Sequence, residues 1–96
     1  MALISDEQIL DAYKKTGLKP VCDQIYNQAE KSANPLGALM IAAGEPIDQI
    51  YLYFGNEFVH NFHLGLTSQD VRFATDEEDY NLGSEYRLKV LSGAFE

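Results

Sequence analysis

The sequence Leu-Gly-Ala-Leu-Met-Ile-Ala-Ala, residues 36–43, has no polar side chain on any face. Asn34 and Pro35 precede it and suit a helix start, because Asn is a favoured N-cap and Pro is tolerated at the first helical position. A glycine and then a proline follow it and suit a helix end. A helix that is apolar all round is typically buried, and this one is far shorter than the roughly 20 residues that cross a bilayer. The stretch therefore predicts a short central helix, with Leu39 and Met40 inside the core.

The chain has 96 residues and a formal net charge of −8. This length predicts one domain, residues 1–96. Binding to phosphates needs clustered Lys and Arg, so the charge argues against nucleic acid and against an anionic membrane surface as partners. A basic partner remains open, although a charge of this size also serves solubility alone. A single cysteine and no apolar leader predict a reducing, cytoplasmic setting.

Signals of local structure continue on the N-terminal side of the apolar stretch. Ser5 and Gln8 have the spacing of a capping box, and Gly17 suits the C′ position, which together predict a helix over 6–16. Residues 19–33 are ambiguous. Their apolar side chains fit helical spacing, and they equally fit a short extended segment with a hairpin near 21–33.

Residues 47–66 sort into an apolar and a polar side when projected at about 100° per residue, which predicts one helix of five turns. Its apolar side contains Ile47, Tyr51, Phe54, Phe58, Phe62 and Leu66. Gly55 lies near this side and indicates either the close approach of another helix or a kink. Tyr53 projects outward among polar residues.

A last helix is predicted to begin at Thr75 or Asp76. The elements together predict a mostly α fold, a compact bundle of about four helices around the buried central helix. The alternative is an α+β fold with the short hairpin near residues 21–33.

Glu57, His60 and His63 read E-x-x-H-x-x-H, and both imidazoles of such a pattern can reach one metal ion. The helical projection puts both histidines on the outer face, opposite the phenylalanines. We therefore expect a solvated polar face that binds no metal. Cys22 lacks a neighbouring base in sequence, so it is interpreted as a small apolar residue rather than a nucleophile.

The one acidic run is Asp76-Glu77-Glu78-Asp79. It can bind a basic protein surface or a hard cation, and it also suits the positive end of a helix. The sequence identifies no catalytic residue, no cofactor and no metal site.

Two segments resemble small uncharacterised bacterial proteins of phages and mobile gene cassettes, including integron cassettes. Residues 34–39, Asn-Pro-Leu-Gly-Ala-Leu, resemble their "C-P-L-G-A-L" helix start, with Asn34 where those proteins often have Cys. Residues 79–86, Asp-Tyr-Asn-Leu-Gly-Ser-Glu-Tyr, resemble their "D-Y-x-x-G-Y" helix. The resemblance implies a mobile-element origin and carries no activity and no functional residues.

Three functions follow, in this order. The first is an accessory protein that binds another protein or a further copy of itself. Its candidate contacts are Tyr53, His60, His63, Asp76, Glu77, Glu78 and Asp79. The second is a small-molecule binding domain with an aromatic-lined pocket between the long helix and the last one. The third is a metal or thiol enzyme. An exposed apolar patch would favour the first function, and an apolar cavity would favour the second.

Overall fold

The computed structural model describes residues 4–96, which form five α-helices and a sheet of three two-residue strands. The helices are α1 (Asp6–Thr16), α2 (Pro35–Ala42), α3 (Ile50–Phe54), α4 (Asn56–Leu66) and α5 (Glu77–Leu91). The strands are β1 (Lys19–Pro20), β2 (Tyr26–Asn27) and β3 (Ser32–Ala33), and 3₁₀ turns span Ile47–Gln49 and Val71–Phe73. The predicted mostly α fold is confirmed, and the structure also has short β structure, which the alternative placed near residues 21–33. Within residues 4–96, no helix has the length and apolar character to cross a membrane.

Helix α1 begins and ends where its capping residues predict. The Ser5 hydroxyl accepts a hydrogen bond from the Gln8 N–H at 3.3 Å. At the other end Gly17 has φ +70°, a conformation that glycine adopts without steric cost, and its N–H donates to the Tyr13 carbonyl at 2.9 Å. Local chemistry is therefore enough to define this helix.

Residues 19–33, which the sequence left open, form no helix and contain the three short strands, joined by bends and a turn. The strand order is β1-β3-β2, with β1 parallel and β2 antiparallel to β3. The buried Tyr13 hydroxyl donates to the Ala33 carbonyl at 2.8 Å, which ties the sheet to α1. The next residue, Asn34, caps α2 by accepting the Gly37 N–H at 2.8 Å. Contacts with α1 and with the start of α2 thus hold the sheet in place, although each strand has only two residues.

Helix α2 is buried mainly along its first half. Leu36 and Met40 are 1% and 0% exposed. A Cβ on Gly37 would lie 1.9 Å from the Ile25 carbonyl oxygen, so the helix start packs directly on the backbone of the segment 19–33. Leu39 packs against the core but is only partly buried, so the prediction that it is nearly fully buried is wrong. In the second half of α2, Leu39 and Ala42 line an open groove.

The single helix predicted over 47–66 is wrong, because Gly55 breaks it between α3 and α4. Gly55 has φ +94° and ψ 138°, a conformation that L side chains rarely adopt. A Cβ at this position would meet open space, so of the two readings of this glycine the kink is confirmed over the close approach. The break also re-aims α3: Tyr51, predicted on the apolar side, is 46% exposed.

Helices α4 and α5 cross at two glycines. A Cβ on Gly65 would lie 2.0 Å from the Tyr80 carbonyl oxygen, and one on Gly83 would lie 2.1 Å from the Phe62 carbonyl oxygen. Backbones can come this close only where the side chain is absent. The crossing buries Phe62 and Leu66 completely, and it places the start of α5 beside the start of α4.

A chain of aromatic rings runs through the core, with successive ring centroids 5.6 to 6.2 Å apart. Its members, in spatial order, are Phe54, Phe58, Phe62, Tyr86, Phe95 and Tyr13. Phe95 is only 4% exposed, although it is the penultimate residue, because the chain after α5 turns back and inserts its ring between Tyr86 and Tyr13. This ring therefore joins the last helix to the first.

Candidate functional site

Three carboxylates meet where α5 begins beside α4. Asp76 is the N-cap of α5, Asp79 lies in the first turn of α5, and Glu57 lies in the first turn of α4. One carboxylate oxygen from each lies within 4.8 Å of the others. We call Glu57, Asp76 and Asp79 the acidic cluster.

A buried amide positions this cluster. Asn61 is fully buried; its Oδ1 accepts the Thr75 N–H at 3.0 Å, and its Nδ2 donates to Thr75 Oγ1 at 3.1 Å. The Thr75 hydroxyl in turn donates to Glu57 Oε2 at 3.0 Å. Because Thr75 is held by α4, the cap of α5 is Asp76, the second of the two predicted starts, and its Oδ1 accepts the Asp79 N–H at 3.1 Å. The polar contacts thus link the two helix starts.

The like charges of the cluster act on one another. Partial burial raises the pKa of Asp79 above its ordinary value, and the carboxylates of Asp76 and Glu57 raise it further. The ionised form of Asp79 is therefore disfavoured in the fold. Carboxylate and amide oxygens are ligands of hard cations, so these residues could hold one, and they could equally receive a Lys or Arg from a protein.

The predicted acidic run divides into two pairs. Asp76 and Asp79, three residues apart, lie on one side of the helix start and turn towards α4. Glu77 and Glu78 are exposed and lie outside the acidic cluster. The first pair is therefore part of the helix junction, and the second faces solvent.

The two predicted outer-face histidines differ. His60 is exposed, as expected. His63 is half-buried, because it lies one turn beyond the buried Val59, and its Nδ1 is buried with no hydrogen-bond partner among residues 4–96. Burial lowers the pKa of His63, and the charge of His60 lowers it further. Neither histidine belongs to the acidic cluster, so the E-x-x-H-x-x-H pattern contributes only Glu57 to it.

Cys22 lies in the core, with its Sγ 4.0 Å from the Arg87 carbonyl oxygen. Burial raises the pKa of this thiol, which favours the protonated form. Nucleophilic attack requires the thiolate. The environment of Cys22 is therefore that of a small apolar core residue.

Tyr53 borders an open groove of about 250 Å³ between α1, α2 and α3. The groove is lined by Gln8, Asp11, Lys15, Leu39, Ala42, Ala43, Tyr53 and Phe54. It shares no residue with the acidic cluster, so the structure does not bring the predicted contact residues together. This groove also lies away from the space between α4 and α5, where the sequence predicts an aromatic-lined pocket.

Helix α3, which contributes Tyr53 to the groove, exposes a turn of large side chains. Tyr51, Leu52 and Tyr53 are consecutive in α3 and are 46%, 81% and 57% exposed. We call these three residues together with the groove the α3 surface. Sequence reasoning identified only Tyr53, because the continuous helix predicted over 47–66 put Tyr51 in the core. Gly55, which separates α3 from α4, was the residue in the sequence that could have revealed this surface.

No protein-family model, curated protein or solved structure matches this chain.

Proposed function

We propose that this chain is a small acidic accessory protein that acts by binding another protein through the α3 surface. The observation that carries this proposal is the exposure of three consecutive large side chains, Tyr51, Leu52 and Tyr53, beside an open groove. Tyrosine is enriched at protein interfaces because its ring is apolar and its hydroxyl remains able to hydrogen-bond. Clustered exposure of such residues is typical of a binding surface.

The size of the groove favours a protein over a small ligand. Ligand pockets are usually about 300–1,000 Å³ and enclose most of the ligand. The groove is about 250 Å³ and open, which suits one anchoring side chain of a protein partner. At this groove the small-molecule hypothesis therefore ranks second. The metal or thiol enzyme keeps the third rank that it has from the sequence, and the environment of Cys22 favours the protonated thiol.

The charge of the molecule indicates what kind of protein could bind elsewhere on it. At −8 the chain would be repelled by phosphate, so the proposed partner is not DNA or RNA. Glu77 and Glu78 are exposed next to the acidic cluster in sequence and offer a second contact for basic side chains. Such a contact would mainly raise the association rate, and added salt would weaken it.

The proposed setting is the bacterial cytoplasm, with an origin in mobile genetic elements. The support for the origin is the resemblance of residues 34–39 and 79–86 to proteins of phages and integron cassettes. The support for the cytoplasm is the single cysteine, Cys22, which is buried with a protonated thiol favoured.

The test compares Tyr53→Ala with Leu88→Ala in affinity purification from host cytosol, with the bound proteins identified by mass spectrometry. Leu88 is a matched control, since it is 69% exposed on α5 and does not line the groove. We expect Tyr53→Ala to weaken a recovered complex by about 2 kcal/mol or more, as for an interface hot spot, with an unchanged thermal melt. Leu88→Ala should bind as the wild type does. A complex that tolerates Tyr53→Ala would refute the role of the α3 surface.

A further inference from the structure

The α3 surface carries both a projection and a depression. Leu52 is 81% exposed on α3, and the groove begins at its neighbour Tyr53. In a two-fold symmetric dimer the same patch of each subunit meets itself, so each patch must contain both members of every contact. A projection beside a depression satisfies this requirement.

The charges of the groove are also self-complementary. Asp11 and Lys15 both line it from α1, one helical turn apart. Among residues 4–96, the ion pairs are Arg72–Asp70 and Lys89–Asp6, so neither groove charge is paired. If two α1 helices lie antiparallel across a two-fold axis, Asp11 of each copy faces Lys15 of the other. One patch thus supplies two reciprocal ion pairs.

The net charge of the chain restricts where two copies can meet. At −8 each, two molecules repel one another over most of their surfaces. The groove lining contains one acid, Asp11, and one base, Lys15, and is therefore locally neutral. Two copies meet with little repulsion at such a patch, whereas the acidic cluster would oppose contact.

We propose that the partner at the α3 surface is a second copy of this chain, in a two-fold symmetric dimer. Asp11 of each copy pairs with Lys15 of the other, and the exposed turn Tyr51–Tyr53 of each copy covers the groove of the other. This proposal rests on the proposed function and names its partner.

The test is sedimentation equilibrium on the purified full chain, from about 1 µM to about 500 µM, the range in which weak dimers dissociate. Asp11→Lys and Lys15→Asp should each weaken the dimer about tenfold or more, because each variant places like charges opposite one another twice. An equimolar mixture of these two variants should form a heterodimer, and the double variant carrying both changes should recover the wild-type dimer.

The control for net charge is Asp23→Lys, an exposed residue outside the groove. It changes the net charge from −8 to −6, as Asp11→Lys does, and reduced repulsion alone would strengthen the dimer in both variants. Only a specific contact of Asp11 across the interface would make the dimer of the Asp11→Lys variant weaker than the dimer of the Asp23→Lys variant.

Three results would overturn the dimer: a wild type that is monomeric throughout the range, equal dimerisation of the two −6 variants, or a mixture that fails to form a heterodimer. A monomeric wild type that still captures a cytosolic protein in a Tyr53-dependent way would overturn the dimer and leave the proposed function standing. A monomer whose captured proteins ignore Tyr53→Ala would overturn both.

Discussion

Replacing Gly83 by alanine tests the crossing of α4 and α5 most directly. The added Cβ would lie 2.1 Å from the Phe62 carbonyl oxygen and 3.0 Å from the Leu66 nitrogen. Both are backbone atoms, so no side-chain rotation can relieve the contact. To reach an ordinary contact of 3.4 Å, the two helices must separate by about 1.3 Å at this point.

Two opposing effects set the size of the change. Alanine is favoured over glycine inside a helix by about 1 kcal/mol, which would stabilise the variant. Overpacking in a core that cannot yield costs about 3 kcal/mol, at the upper end of the usual range. We therefore expect Gly83→Ala to lower the free energy of unfolding by about 2 kcal/mol, which in a domain of this size lowers the melting temperature by roughly 8–16 °C.

The assay is urea unfolding followed by circular dichroism, with Asn81→Ala as the control. Asn81 is exposed in the same helix, so its replacement gains helix propensity without a clash and should be neutral or slightly stabilising. Gly65→Ala should cost a similar amount as Gly83→Ala. The double variant should cost less than the sum, because the helices need to separate only once. A Gly83→Ala protein more stable than the wild type by about 1 kcal/mol would refute the close crossing.

Three further predictions concern the core and the titrating groups. Phe95→Ala should cost about 3–5 kcal/mol in urea unfolding, because it removes a buried ring from between two tyrosines, whereas Glu96→Gln should be neutral. Burial lowers the pKa of His63 below 6.5, so the stability that its neutral imidazole contributes above that pH should be lost as the pH falls through the folded-state pKa. Between about pH 7 and pH 5, the melting temperature should therefore decline less steeply in His63→Gln than in the wild type. The raised pKa of Asp79 has the opposite effect on stability. Its contribution to the free energy of unfolding is present below pH 3.8 and is lost as the pH rises through the folded-state pKa. Asp79→Asn should therefore melt higher than the wild type at neutral pH, with Glu78→Gln, an exposed neighbour, unchanged.

Short-range chemistry explains why some elements could be predicted from sequence. Ser5 and Gly17 define α1 because a cap needs only residues within one turn of the helix end. Asn34 likewise begins α2 by accepting the N–H of Gly37, three residues later. Composition alone also indicates an acidic domain, with 15 acidic and 7 basic residues.

The candidate site depends on contacts between residues far apart in sequence. Glu57 and Asp79 are 22 positions apart, and they meet because α4 and α5 cross closely enough for Asn61 to bind Thr75. A helical projection sorts residues by face and contains no information on which other helix lies against that face. The same limit explains Leu39. The sequence shows that Leu39 lies in an apolar segment, but it could not show that the space beside this side chain is an open groove.

The sequence by itself determined the helix starts and ends that depend on nearby side chains, the mostly helical class and the acidic charge. Tertiary structure decided that Gly55 breaks a helix while Gly65 and Gly83 join two, although each glycine lies in an otherwise helical pattern. The physical reason is that the missing Cβ permits two different things, a positive φ or a close backbone contact. Which of them is used depends on what the rest of the chain places beside that residue.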